Sequence, residues 1–120
     1  MASTRQAVPL PVTVSRASLD DLDAIAPLFD AYRVFYRQAS NPALARSFIE
    51  ERLQLGESGI FVCRDPATGA ALGFTQLYPS FSSVAARLIW ILNDLFVAPD
   101  ARRRGVARAL MQAARAFATE

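Results

Sequence analysis

The sequence predicts one α/β domain, a mixed and mostly antiparallel sheet flanked by helices, in the order β-α-α-β-β-β-α. Three observations predict it. Apolar residues recur at helical spacing from Leu22 to Leu53, then crowd into short β-rich runs from Gly59 to Val97. Turn residues punctuate the second half, first as Asp65-Pro66-Ala67-Thr68-Gly69 and last as Pro99-Asp100. The length of 120 residues, with 52% apolar and 20% charged side chains, suits one small folded domain and argues against disorder.

Residues 1–11 carry Pro9 and Pro11 and read as a loose arm, so the domain spans 12–120. Val12 to Arg16 alternates and is β-branched, the mark of a first strand. Ser18 followed by Asp21 is a helix start signal, with Asp20 also favourable at the positive end of the dipole. Leu22, Ile25, Phe29, Tyr32 and Phe35 or Tyr36 then follow at helical spacing, and Pro27 is expected to kink or split that helix. Asn41-Pro42 caps a second helix, which carries Leu44, Phe48, Ile49 and Leu53 and ends near Gly56. Gly59 to Arg64 is a strand. Ala70 to Tyr78 is another, expected to end at Pro79, with a loop from Phe81 to Ala86. Arg87 to Val97 is long enough to cross the middle of a sheet. From about Arg103 a helix runs on with Val106, Leu110, Ala113 and Phe117 on one face. The chain stops inside it, and a strand-helix pair usually continues into another strand, so the domain is expected to be C-terminally incomplete. An open edge of that kind invites self-association into a homodimer.

Composition excludes several chemistries. The chain has no His and a single Cys, Cys63, so no zinc spacing can be written and no metal is expected. Ser-His-Asp and Cys-His machinery is excluded by the same absence. Every cation is Arg, which removes a Schiff-base or general-base lysine. A Lys-free, Ala-rich composition fits a GC-rich bacterial genome. No membrane-length apolar run is present, and the start lacks the apolar core of a signal peptide, so a cytoplasmic location is expected. Residues 101–120 hold five Arg and one Glu, whereas the first hundred residues are net acidic. The positive charge is gathered at one end and points to an anionic partner there.

The informative segment is Leu92 to Leu110, a buried-looking strand, a short turn and a helix start loaded with Arg. Unpaired N–H groups at a helix N-terminus bind anions, and Gly105 has no Cβ to keep a phosphate away. The segment is neither a Walker loop nor a dinucleotide fingerprint. Arg102-Arg103-Arg104-Gly105-Val106-Ala107 resembles the Arg/Gln-x-x-Gly-x-Gly/Ala signature of the GNAT N-acetyltransferases. Asn93 to Pro99 resembles that family's central strand and its exit, and Ala71 to Leu77 its preceding strand.

The resemblance covers about residues 12–120 and implies a GNAT-like fold with acetyl-CoA as co-substrate. It places the pyrophosphate on Arg102, Arg103, Arg104, Gly105, Val106 and Ala107, and the pantetheine along Leu95, Phe96 and Val97. It implies direct attack by a primary amine of a small molecule or protein, without a covalent enzyme intermediate. Asp94, the only acid on that strand, is the candidate base; the competing reading is a strand-edge or turn-capping aspartate. Trp90 and Ile91 stand where some members carry a base and cannot take a proton. Asn93 could orient a water. Tyr32 and Tyr36 fall where the family's first helices border the acceptor, although aromatics at helical spacing also serve as core. The family's later strand, helix and hairpin have no counterpart in these residues, which leaves open an impaired fragment. A reading from another class is a non-catalytic module that binds CoA or another anion at the Arg-rich helix start. Nucleic acid is not favoured, because the net charge is only +2 and no aromatics interleave with the Arg cluster.

Overall fold

The computed structural model of the chain describes residues 11–119, so the arm expected over residues 1–11 lies, apart from Pro11, outside the described residues. The elements are β1 (Thr13–Arg16), α1 (Leu22–Phe35), α2 (Pro42–Leu55), β2 (Gly59–Arg64), β3 (Ala71–Ser82), β4 (Arg87–Val97) and α3 (Val106–Ala118). Single 3-10 turns precede α1 at Leu19–Asp21 and α3 at Pro99–Ala101. The four strands lie in the order β1-β2-β3-β4, and every pairing is antiparallel. The fold class is the one expected, an antiparallel sheet flanked by helices.

Local chemistry sets the helix ends. The Ser18 hydroxyl accepts from the Asp20 N–H (3.3 Å), and Asp21 accepts from the Ser18 N–H (2.9 Å). Together they close the reciprocal cap that starts the first helical segment. Asn41 caps α2 through the Leu44 N–H at 3.1 Å, and Gly56 stops it in the left-handed region at φ 63°.

Three expectations need correction. Of the two outcomes expected at Pro27, the split does not occur, and α1 runs on through it to Phe35. Pro27 and Asp23, whose carbonyl loses its usual partner, are both on the exposed side, where water can satisfy the orphan oxygen. Pro79 does not end β3, which pairs with β4 as far as Ser82. The β2 pairing stops at Leu77, so β3 has a free edge at Pro79 and a missing N–H costs no ladder bond there. The last helix starts at Val106 rather than near Arg103, because Arg103 (φ 69°) and Gly105 (φ 78°) are left-handed and cannot join a right-handed helix.

The sheet separates two cores. One face packs Ile60, Val62, Phe74 and Phe96 against Ile25 and Phe29 of α1 and Ile49 of α2. The other packs Phe61, Cys63 and Leu77 against Val106, Leu110 and Ala114 of α3. Phe117, half-buried, extends that stripe and lies 4.7 Å, centroid to centroid, from the Trp90 ring. Cys63 is free and fully buried, and burial pushes its thiol above the usual range. On β4 the register slips once. Gln76 pairs with Asp94 but Leu77 pairs with Leu92, so Asn93 is an extra residue in a β-bulge. The bulge reverses the alternation. Trp90 belongs to the α3 face, whereas Asp94, four residues on, lies beside Gln76 and hydrogen-bonds Tyr32 of α1.

Candidate active site

The site grows from the exit of β4. The Ala98 N–H donates to Leu72 O at 2.8 Å. In an antiparallel ladder every second residue faces its neighbour, so Phe96 faces β3 while Leu95 and Val97 turn their N–H and C=O groups to the other edge. That edge has no partner strand among the described residues. Beyond it, the first return bond of α3 runs from the Ala109 N–H to Gly105 O at 3.0 Å. The N–H groups of Val106, Ala107 and Arg108 therefore precede any acceptor within the helix.

Strand edge and helix start border one open cavity of about 360 Å³. Leu95, Phe96 and Val97 line one side, and Phe35 and Tyr36 stand beside them. Arg102, Arg103, Gly105, Val106 and Ala107 line the other side, joined by Arg108. No ion pair involves Arg102, Arg103 or Arg108 among the described residues. The donor set is cationic and rich in free N–H, which suits a phosphate-bearing ligand. Gly105 has open space where a Cβ would stand, and its φ of 78° disfavours any other residue.

Arg104 differs from its neighbours. Its guanidinium turns away from the cavity to Asp65 Oδ2 and Pro11 O, each at 3.3 Å. Asp65 is held below the usual carboxylate range, first by the Ala67 N–H and then by Arg104. The Arg104 side chain thus ties the β2–β3 turn to the helix start, and only its backbone is free to face a ligand.

Behind the cavity lies a second constellation. Asp94 is 3% exposed. Its Oδ1 accepts from Tyr32 Oη (2.9 Å) and Asn93 Nδ2 (2.7 Å), and its Oδ2 from Gln76 Nε2 (2.6 Å). Ser58 Oγ donates to Gln76 Oε1 at 2.9 Å and so fixes which way the amide points. Thr75 Oγ1 donates to the Asp94 carbonyl at 2.6 Å. Burial, the Asp94 bond and the Asp94 charge raise the Tyr32 hydroxyl well above the usual phenol range. Burial and the same charge also raise Tyr78. The structure joins Asp94, Asn93 and Tyr32 directly, and stacks Tyr36 edge-on to Tyr32 at 5.1 Å. Sequence reasoning missed Gln76 and Ser58. The available signal was a polar side chain two residues after Phe74 on one face of a core strand.

Among the described residues no three His, Cys, Asp or Glu side chains gather as a metal site requires. No described helix is long and apolar enough to cross a membrane.

A strand edge without a partner among the described residues, leading into a cationic helix start on an antiparallel sheet with helices on both faces, is the arrangement that the sequence resemblance implies for an acetyltransferase. The family model described as the acetyltransferase (GNAT) family matches residues 25–120. An uncharacterized N-acetyltransferase of Bacillus subtilis, YhfO, is 48% identical over 107 residues, covering 89% of this chain and 70% of its own. A probable acetyltransferase of Haemophilus influenzae is 35% identical over 97 residues, covering 81% of this chain and 66% of its own. A crystal structure of a probable acetyltransferase superposes with a TM-score of 0.85 at 46% identity, covering 89% of this chain and 71% of that one. The chain belongs to the GNAT family of acetyltransferases.

Proposed function

We propose that the protein moves an acetyl group from acetyl-CoA to a primary amine of a small molecule or protein by direct attack, in the cytoplasm. The observation that carries this reading is the single cavity bordered by both the open edge of Leu95–Val97 and the Arg-rich start of α3. The relatives' names support acetyl transfer. A fold neighbour at 22% identity and a TM-score of 0.74, AAC(6')-Iy, was solved with a bisubstrate analog built on CoA.

The N–H groups at the start of α3 would hold the pyrophosphate, with Arg102, Arg103 and Arg108 adding long-range attraction. The outward N–H and C=O groups of Leu95 and Val97 would pair with the pantetheine arm as a strand edge does. A free N–H on this edge would stabilise negative charge on the thioester oxygen. Asp94 is the base on which a proton ends when the acceptor is deprotonated, and Tyr32 and Tyr36 border the acceptor. We also propose that the chain self-associates as a homodimer through the part of the β4 edge that the cavity does not use.

Calorimetric titration tests the cofactor half of this reading. Gly105→Glu places a side chain at a left-handed φ, costing roughly 1–2 kcal/mol. It also sets a negative charge against the phosphates, and acetyl-CoA affinity is expected to fall at least ~100-fold while the circular dichroism stays folded. Pantetheine without phosphates is expected to bind the parent weakly and to be indifferent to the substitution. Unchanged acetyl-CoA affinity would remove the pyrophosphate assignment. Tight binding with no CoA released in the presence of any amine would leave the non-catalytic module as the better reading.

A further inference from the structure

The acceptor cannot easily reach the base. Asp94 is 3% exposed, and both of its oxygens are already covered by donors from the protein. Tyr32 is half-buried and touches both Asp94 and two residues that line the cavity. Its ring meets the cavity residues Tyr36 and Phe96 edge-on, with centroids 5.1 and 6.3 Å away. Its hydroxyl donates to Asp94 Oδ1 at 2.9 Å.

We infer that Tyr32 is a catalytic residue: its hydroxyl, not the Asp94 carboxylate, meets the acceptor amine and relays the proton to Asp94. Gln76 and Ser58 act as positioning residues. The Ser58 hydroxyl orients the Gln76 amide, and the amide takes Oδ2, which leaves Oδ1 turned to Tyr32. This inference rests on the acetyl-transfer reading above.

The step balances. One proton of the acceptor ammonium passes to Tyr32 Oη as the phenolic proton passes to Asp94 Oδ1, so the phenol is neutral before and after. The freed nitrogen lone pair forms the N–C bond, and the C–S bond breaks with its electrons going to sulfur. The second surplus proton of the nitrogen ends on the thiolate, and Asp94 later returns its proton to solvent. The raised Tyr32 hydroxyl favours such a concerted relay over a free phenolate. The other groups facing this pair are Tyr36 just past the end of α1, Tyr78 on β3 and Asn93 on β4, with Arg52 of α2 acting on Tyr78. None of them offers a second carboxylate.

The test compares two amines with the 120-residue chain. Phenethylamine is protonated at neutral pH and needs a base, whereas hydroxylamine is largely unprotonated and needs none for its first step. Tyr32→Phe keeps the ring packing. It is expected to lower kcat for phenethylamine by about 100-fold or more and to steepen its rise with pH. The loss with hydroxylamine is expected to be at least tenfold smaller. Equal losses for both amines, or unchanged phenethylamine turnover, would overturn the relay while leaving acetyl transfer standing. Wild-type protein that releases CoA with neither amine, nor with any other primary amine of a panel of small molecules and peptides, would instead overturn the acetyl-transfer reading and the relay with it. A readout independent of turnover is the ultraviolet titration of the tyrosines. In a Tyr78→Phe background, which removes the other raised phenol, the chain is expected to show one phenol resisting ionisation, and Asp94→Asn to bring it back toward the ordinary range. A titration that Asp94→Asn does not move shows that the dyad is not formed and sinks the relay. Gln76→Glu replaces a donor with a second carboxylate and is expected to shift the phenethylamine pH profile, a change that a purely structural glutamine would not produce.

Discussion

Asp30 shows how one side chain couples the first helix to the second. Its two oxygens accept from Ser40 Oγ (2.6 Å) and the Asn41 N–H (2.7 Å), and the Ser40 bond leads in holding its carboxyl below the usual range. A carboxylate with a depressed folded pKa adds stability above the unfolded value, and the gain is lost as pH falls through the folded one. Acid unfolding of Asp30→Asn is therefore expected to be flatter than that of the parent below the ordinary Asp range, read by circular dichroism against pH. The buried cluster is sensitive for a different reason. Gln76→Leu removes a donor from a buried carboxylate, and such a loss costs roughly 1–3 kcal/mol, measurable as a lower urea midpoint. Residues of these two kinds were unequally legible. Asp94 stood out as the only acid on its strand, and Tyr32 by its helical spacing. Gln76 and Ser58 act through a contact across 18 residues of chain, and no local pattern announces a partner that only the β2–β3 pairing brings near.

Elements were legible wherever local chemistry decides them, as in the Ser18 cap, the Asn41 cap and the Arg87–Val97 strand. The two prolines misled because their cost depends on neighbours that the local sequence does not reveal. Pro27 loses a bond that water replaces, and Pro79 lies beyond the last β2 partner. The start of α3 misled for a backbone reason, since Arg103 adopts a left-handed φ that its type does not advertise. The fit of α3 to the sheet depends on Gly73. A Cβ there would sit 2.7 Å from Phe96 O and 2.9 Å from Val106 Cγ1, so both β4 and α3 crowd it. The backbone oxygen cannot give way as a flexible side chain could. Gly73→Ala is thus expected to cost about 1–3 kcal/mol by overpacking and to lower the melting temperature. Because it separates the two elements that border the cavity, it is also expected to weaken acetyl-CoA binding in calorimetry, whereas Gly69→Ala, at an open turn, should leave that affinity unchanged.

Across the whole molecule, the sheet divides its cover unevenly. Two helices pack one face and α3 alone packs the other, against β1 to β4. The strip between α3 and the outer edge of β4 opens as a shallow cavity of about 490 Å³. Leu77, Trp90, Leu92, Met111 and Ala114 line it, and Leu92 and Met111 keep 40% and 49% of their surface exposed. An apolar strip next to a strand edge that has no partner among the described residues combines two drives to association, area removed from water and satisfied backbone groups. This half of β4 lies before the bulge, whereas the proposed pantetheine edge lies after it, so one strand can serve both roles without competition. The 120-residue chain is expected to sediment with a concentration-dependent coefficient, moving from monomer toward dimer as concentration rises. Leu92→Glu with Met111→Glu puts two like charges into the strip on each copy and is expected to hold the chain monomeric at the same concentrations. Acetyl-CoA affinity should survive the double substitution, because neither residue lines the cavity at the start of α3. A parent that remains monomeric throughout would show that the strip is not a contact between copies, and a double variant that still dimerises would place the contact elsewhere.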